Sequence, residues 1–157
     1  MGLKENLRSE TVAKLPLREG VIVGADTTVT TAIERMLQRR LGCAIVVDAD
    51  GKALGTFSEQ TVIDLLLQNP EQLGQLPVGR ALDETWHHVS MTDPIEVVLD
   101  LVHRDGARFV CVMDEDGRAV GLTGQKGLSE YVADHYPQQV MIQRVGGRPG
   151  QETREGA

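Results

Sequence analysis

Residues 48–55 read DADGKALG, and residues 114–121 read DEDGRAVG. The two stretches start 66 positions apart, and at that spacing residues 12–62 align with residues 78–128 without a gap. The hydrophobic pattern is kept even where the letters change. An internal repeat of this kind dictates the architecture before any single motif is considered. The chain is therefore predicted to build one structural unit twice.

Each copy is predicted to fold as a β-α-β-β-α unit. In the first copy, a β-branched run at residues 21–23 favours a strand that Gly24 ends. Caps at residues 26–28 and apolar residues at three- and four-residue steps then favour a helix that runs to Arg40, with Gly42 as the signal that stops it. The remaining predicted elements are a buried strand at 43–47, an Asp-x-Asp-Gly turn at 48–51, a strand at 53–57 and a helix at about 59–68.

The second copy repeats this order. Its predicted elements are strands at 87–89, 109–113 and 119–123, helices at 94–105 and about 128–135, and a turn at 114–117. One unit of about 60 residues has too little core to be stable alone, whereas two units bury each other's sheet faces. The predicted fold class is therefore α+β. The predicted domains are a helical lead-in at 1–11, repeats at 12–69 and 70–136, and a partly disordered extension at 137–157 with a short strand in its QQVMIQRV stretch.

Net charge and the length of the apolar runs exclude several classes of function. The net charge is −7 and the sequence pI is about 5.1, so the chain as a whole repels nucleic acids and acidic membrane surfaces. No apolar run approaches the ~20 residues that span a bilayer, and the amino terminus has no hydrophobic signal core. The expected location is the cytoplasm. Cys43 and Cys111 each lie in an apolar run and are predicted to be buried thiols rather than a disulfide or zinc ligands.

The repeat also resembles a known family. A β-α-β-β-α unit of about 60 residues that occurs twice, with VVDADGKALG at residues 46–55 before a strand and a helix, resembles the CBS domain, named after cystathionine β-synthase. The two copies resemble a tandem CBS pair, or Bateman module, over residues 12–135. The resemblance implies pseudo-two-fold packing of the repeats around two clefts, which in this family often bind AMP, ATP or S-adenosylmethionine. It also implies a homodimer.

The family's nucleotide motif consists of Gly, two hydrophobic residues, Ser or Thr, two variable residues and Asp. It falls on GTFSEQT at 55–61 and on GLTGQKG at 121–127. The first copy keeps the hydroxyl as Ser58 but has Thr61 in place of Asp, and the second copy loses both polar positions. Thr123 lies one residue early, which on a strand points a side chain to the opposite face. Because a carboxylate binds ribose hydroxyls more strongly than a neutral group, the substitutions weaken the standard adenosine contact.

The resemblance implies ligand contacts from both copies. Those of the first copy are Ile22, Val23, Ala44 and Ile45 around a base, and Ser58 and Thr61 near ribose or phosphate. Those of the second copy are Val110, Cys111 and Lys126. The implied ligand is AMP, ADP, ATP or S-adenosylmethionine acting as a regulator, and no cofactor is required.

Several local features admit two interpretations. Ser58 is either a helix cap or a phosphate contact. The glycines and Lys126 of GLTGQKG form either a flexible turn or an anion site at a helix start. Trp86 has three possible roles: it covers the end of the core, it contacts a dimer partner, or it stacks on adenine. The acidic pairs of the two turns favour turn chemistry over calcium binding. His87 and His88 point to opposite faces of a strand, so they do not chelate one metal together.

Catalysis has no support in the residue pattern. No Ser/His/Asp order, carboxylate pair or cofactor fingerprint is visible, so an enzyme is not expected. The predicted function is a non-catalytic regulatory CBS pair that senses an adenine nucleotide or related adenosyl ligand in the cleft between its repeats. The alternative is a dimerisation or interaction scaffold that has lost ligand binding. A regulated protein partner of open identity is implied, whereas nucleic acid, membrane and metal are not expected partners.

Overall fold

Two three-stranded sheets form the centre of the molecule, in a computed structural model that describes residues 2–136. The strands are β1 (Val21–Gly24), β2 (Cys43–Val47), β3 (Ala53–Ser58), β4 (His87–Ser90), β5 (Val110–Met113) and β6 (Ala119–Thr123). The helices are α1 (Leu3–Ser9), α2 (Val29–Arg39), α3 (Glu59–Gln68), α4 (Ile95–Arg104) and α5 (Gln125–His135). In each sheet the first two strands are parallel and the third runs antiparallel to the second. The predicted α+β class with two β-α-β-β-α repeats is confirmed.

The predicted bounds of three helices differ from the observed ones. α4 spans Ile95–Arg104 rather than 94–105. α2 ends at Arg39, one residue before its predicted last residue, and Arg40 is a left-handed C-cap at φ 52°. α5 begins at Gln125, three residues before its predicted start. The prediction missed this first turn because the turn is polar and carries no apolar signal. The predicted extension at 137–157 lies outside the described residues, and the predicted repeat boundaries stay a prediction. None of the helices within residues 2–136 is long and apolar enough to cross a membrane.

The repeated Asp-x-Asp-Gly stretches form the two hairpin turns. In the first turn, Asp48 Oδ1 accepts the backbone N–H groups of Asp50 and Lys52, both at 2.9 Å. Gly51 has a φ of 82°, which a residue with a side chain rarely adopts. Asp114 makes the same two bonds in the second turn, at the same distances. The predicted turn chemistry of both Asp-x-Asp-Gly stretches is confirmed.

The two hairpin turns also meet each other. The Ala53 N–H donates to the Gly117 carbonyl at 3.0 Å, and the Ala119 N–H faces the Gly51 carbonyl at 3.4 Å. The members of one pair lie 66 residues from those of the other, so this is a single contact made reciprocally by both repeats. Reciprocal contacts are the mark of a two-fold axis. The repeated letters therefore lie where that axis passes between the repeats.

Each repeat also contributes a short segment to the core of the other. Val12 precedes the strands of the first repeat, yet its N–H donates to the Asp93 carbonyl at 2.8 Å and its side chain is buried in the core of the second. Val78 does the reverse, because its N–H donates to the Thr27 carbonyl at 2.7 Å and its side chain is buried in the core of the first. Neither repeat completes its core alone.

A third apolar cluster lies between the two sheets. Its buried members are Cys43, Ile45, Val47, Cys111 and Leu122. On β2 these residues alternate with Ala44 and Val46, which belong to the core of the first repeat. β2 is thus buried on both faces, and this explains why it reads CAIVV without a polar residue.

The exchanged segment provides a test of the fold. Val12→Ala removes two methyl groups from a fully buried position, so it should lower the free energy of unfolding by about 2 kcal/mol in urea denaturation. Because Val12 packs in the core of the second repeat, the amides of β5 should lose hydrogen-exchange protection before those of β2. Lys14→Ala, at an exposed neighbouring position, is the control and should change neither quantity. Loss of protection confined to β2 would contradict the exchange.

Candidate ligand-binding clefts

Two cavities lie between elements of both repeats. Cleft one, of about 160 Å³, lies between the β3–α3 junction and part of the segment 83–87. Cleft two, of about 600 Å³, lies between the β6–α5 junction and residues Pro16 and Arg18. The loop 106–109 lines both cavities. The clefts are thus related by the two-fold repeat, and the residues that line them can be compared position by position.

Cleft one contains a carboxylate from the chain itself. Asp83 Oδ2 accepts the Thr56 hydroxyl at 2.7 Å, and Oδ1 accepts the Thr61 hydroxyl at 2.5 Å. Oδ1 also accepts both the backbone N–H and the hydroxyl of Ser58, at 3.0 and 2.9 Å. Four donors therefore converge on one carboxylate. Hydrogen bonds to an ionised acceptor are about twice as strong as those between neutral groups, so this cluster closes its side of the cleft firmly.

Cleft two carries the opposite charge. Arg18, Arg108 and Lys126 line it and are exposed, while Glu130 adds one negative charge. The Arg108 guanidinium lies 5.4 Å from the centroid of the Phe109 ring, within cation–π range. The start of α5 also faces this cavity, and its backbone N–H groups favour negative charge. The cavity is therefore suited to an anion next to an apolar group.

Thr123 is the polar group that the fold of cleft two leaves without a partner. It lines the cavity at 7% exposure, and its hydroxyl finds no hydrogen-bond partner among residues 2–136. A Cβ atom at position 127 would lie 2.5 Å from this hydroxyl, so only glycine fits against it. A buried hydroxyl without a partner costs about 1–3 kcal/mol, which a bound ligand could offset.

The structure brings some predicted site residues together and separates others. Ser58 and Thr61 both bond Asp83 at cleft one, and Lys126 lines cleft two. Ile22 is 43% exposed on β1. The other five predicted residues are buried in the apolar clusters and line neither cleft as the described residues form it: Val23, Ala44, Ile45, Val110 and Cys111. The predicted contact set as a whole stays a prediction.

The helix-cap interpretation of Ser58 is wrong. Ser58 occupies the N-cap position of α3, but its side chain makes no capping bond and donates to Asp83 instead. Trp86 lines cleft one and stacks on His88, with ring centroids 4.4 Å apart, while His87 Nε2 lies 3.8 Å from the Asp105 carboxylate. The two adjacent histidines therefore have separate partners, which agrees with their predicted placement on opposite faces of the strand. Within residues 2–136, no group of three or more His, Cys, Asp or Glu side chains is placed to hold a metal ion.

Both cysteines are free and buried, which confirms their prediction. Burial raises the pKa of the Cys111 thiol to about 12. Burial also raises the pKa of the Cys43 thiol, and the nearby Asp83 charge raises it further. Both thiols are therefore neutral at pH 7, and the thiolate is the form that attacks electrophiles or binds metals.

Sequence reasoning missed the residues that define the two clefts. Asp83 lies 22 to 27 residues from its three partners, and it belongs to no motif. Arg18 and Arg108 are likewise isolated charges in the sequence and come together only in the fold. The one available signal was internal: alignment of the two copies at a spacing of 66 pairs Arg18 with Glu84, Arg108 with Gly42 and Lys126 with Gln60, so the cations of cleft two have no cationic equivalents at cleft one.

Comparison with known proteins identifies the family. The model of the CBS domain family matches residues 12–68. Residues 12–68 therefore form a CBS domain. Because β4 to α5 repeat the topology of β1 to α3, the chain as a whole has the fold of a tandem CBS pair, or Bateman module. The predicted resemblance is thus confirmed.

Relatives of this CBS pair share its fold at low sequence identity. A CBS domain-containing protein from Bacillus anthracis has a TM-score of 0.72 and 16% identity over 84% of this chain and 99% of its own. A CBS domain protein from Pyrobaculum aerophilum complexed with AMP has a TM-score of 0.63 and 20% identity, over 78% and 98%. CBSX2 in complex with AMP has a TM-score of 0.69 and 19% identity, over 80% and 98%. An uncharacterized 17.7 kDa protein of Acidianus ambivalens is 18% identical over 91% of this chain and 82% of its own. At these identities the likeness establishes the fold.

Two buried threonines give a matched test of the clefts. Thr123→Val replaces a hydroxyl without a partner by a methyl group of similar size, so it should raise the free energy of unfolding by about 1 kcal/mol. Thr56→Val removes a donor to Asp83 and should lower it by about 1–2 kcal/mol. Urea denaturation of the chain without added ligand measures both. A loss of stability in Thr123→Val as large as that in Thr56→Val would show that the Thr123 hydroxyl is satisfied.

Proposed function

We propose that the chain is a regulatory module that senses an adenine nucleotide in cleft two. CBS-domain proteins that stand alone are generally regulatory rather than catalytic, which supports this class of function. The observation that carries the choice of cleft is a buried Thr123 hydroxyl, without a partner among residues 2–136, in a cavity that three cationic side chains also line. A hydroxyl and several cations around one cavity supply the donors that a phosphate group accepts.

The rest of cleft two suits the nucleoside part of such a ligand. Its apolar lining includes Leu41, Val102, Phe109 and Leu122. Ligand cavities are typically apolar with a few convergent polar groups, and a volume of about 600 Å³ falls in the usual range for small molecules. Two structural relatives hold AMP, which agrees with an adenine ligand in this family.

The charge of cleft two discriminates among the predicted ligands. AMP, ADP and ATP are anions and are attracted by Arg18, Arg108 and Lys126. S-adenosylmethionine carries a sulfonium cation and is disfavoured by the same charges. We therefore rank the nucleotides above S-adenosylmethionine, with affinity rising with the number of phosphates. The contacts predicted for the first copy, Ser58 and Thr61 near ribose or phosphate, are engaged by Asp83 and belong to cleft one.

Calorimetric titration with AMP, ADP, ATP and S-adenosylmethionine tests the proposal. Lys126→Ala and Arg108→Ala should each weaken ATP binding about tenfold, since each removes a charge-assisted contact that is partly screened by solvent. Lys14→Ala, which removes the same charge at an exposed position away from the cleft, should change the affinity less than twofold. Absence of binding by all four ligands at millimolar concentration would reject the proposal.

A second candidate is the interaction scaffold, and one surface favours it. Ile63, Leu66 and Leu67 lie on one face of α3 and are 50%, 51% and 80% exposed. Large apolar side chains at such spacing on an exposed helix are typical of an interface. The face would serve the predicted homodimer, and it is compatible with ligand sensing. The cytoplasm stays the predicted location.

Sedimentation velocity tests this surface. If α3 forms a homodimer interface, Leu67→Lys should weaken self-association at least tenfold, because it places a charge in an apolar contact. Val120→Lys, at a half-exposed position on β6, is the control and should leave self-association unchanged. A wild-type chain that is monomeric at high micromolar concentration, or equal effects of the two variants, would exclude the interface.

A further inference from the structure

We propose that Asp83 is a built-in anion that fills the phosphate-accepting cradle of cleft one, so that this cleft rejects anionic ligands and the chain takes one nucleotide rather than two. The cradle consists of the donors of Thr56, Ser58 and Thr61, all of which point at the Asp83 carboxylate. The expected stoichiometry of one nucleotide per chain rests on the proposed function of cleft two. The occupancy of cleft one by the Asp83 carboxylate does not depend on that function.

The geometry of the cradle is that of an anion site. Three hydroxyls and one backbone N–H donate to the two oxygens of the Asp83 carboxylate, at 2.5 to 3.0 Å. A phosphate group presents a similar set of oxygen acceptors to such donors. The backbone holds the carboxylate in place, because the Asp83 N–H donates to the Thr56 carbonyl at 2.9 Å. Asp83 thus occupies the donors that an external anion would need.

The internal repeat shows that Asp83 and its three hydroxyl partners occur in only one of the two clefts. At the spacing of 66, Leu122, Gly124 and Gly127 stand at the positions equivalent to Thr56, Ser58 and Thr61, and Leu17 stands at the position equivalent to Asp83. The carboxylate and all three hydroxyl side chains are therefore present together in one cleft and absent together from the other. The acceptor and its donors therefore occur as a set.

Charge and space reinforce the rejection of anions. Cleft one has Glu59 and Asp83 in its lining, opposed by Arg108, whereas cleft two has three cations opposed by Glu130. Cleft one also has about a quarter of the volume, 160 against 600 Å³. A phosphate that entered cleft one would approach a carboxylate without any donor left free in the cradle. Removal of the Asp83 side chain should relieve both the repulsion and the occupancy.

The experiment compares the wild-type chain with Asp83→Ala, Asp83→Asn and Glu84→Gln. Asp83→Ala empties the cradle, and Asp83→Asn keeps its shape while removing the charge. Glu84→Gln removes the same charge from the adjacent exposed residue, which does not line cleft one. The first probe is inorganic phosphate at constant ionic strength, with thermal unfolding as the readout. Phosphate should raise the Tm of Asp83→Ala by about 3 °C more than that of the wild type or of Glu84→Gln.

The second readout is the stoichiometry of ATP binding by calorimetry. The wild type and Glu84→Gln should bind one ATP per chain, and Asp83→Ala should bind two. Asp83→Asn keeps the inference testable if Asp83→Ala fails to fold, because its neutral amide should also admit a second ATP, at lower affinity. A wild-type chain that binds two, or an emptied cradle that gains neither phosphate stabilisation nor a second ATP, overturns the inference.

The outcomes separate this inference from the proposed function. If the wild type binds no nucleotide while Asp83→Ala gains phosphate stabilisation, the role of Asp83 stands and the proposal for cleft two fails. If the wild type and Asp83→Ala both bind one ATP and phosphate stabilises both equally, cleft two is the nucleotide site and Asp83 is a structural residue only.

Discussion

Mutual burial of the two sheets is the constraint on which the rest of the molecule depends. Ile45 of one sheet and Leu122 of the other lie in the same apolar cluster, together with both cysteines. Each fully buried aliphatic side chain contributes about 1.5–3 kcal/mol, and neither sheet can bury this face without its partner. The exchanged segments around Val12 and Val78 add to the dependence, because each completes the core of the other repeat. The duplicated unit therefore exists only as a pair.

A two-fold arrangement creates two equivalent clefts, and the sequence has made them chemically different. In cleft one the Asp83 carboxylate occupies the hydroxyl donors, whereas cleft two presents cations and a Thr123 hydroxyl without a partner among the described residues. The backbone framework is shared, since both clefts are lined by the loop 106–109. A ligand that contacts this loop in cleft two would contact a wall of cleft one. The asymmetry thus places the proposed ligand site and the Asp83 cluster on opposite sides of one loop.

Much of the fold could be predicted because its signals are local. The bond from Asp48 to the N–H of Asp50 spans two residues, and the positive φ of Gly51 is a property of that residue alone. α3 was predicted with its observed bounds because Asn69 and Pro70 stop it. The start of α5 was missed because no apolar residue marks its first turn, and Arg40 as a C-cap was missed because a non-glycine residue seldom adopts that conformation.

The sequence by itself determined the duplicated β-α-β-β-α unit, the hairpin turns and the alternation that buries both faces of β2. Each of these follows from residues close in the chain, where spacing and side-chain chemistry act directly. Only the tertiary structure decided which groups face each other in the clefts. Asp83 bonds Ser58 and Thr61 because the segment that connects the repeats passes beside the β3–α3 junction. Arg18 and Lys126 lie more than 100 residues apart in the chain, yet they line the same cavity. Electrostatic and hydrogen-bonding partners at such separations leave no periodic trace in a single sequence.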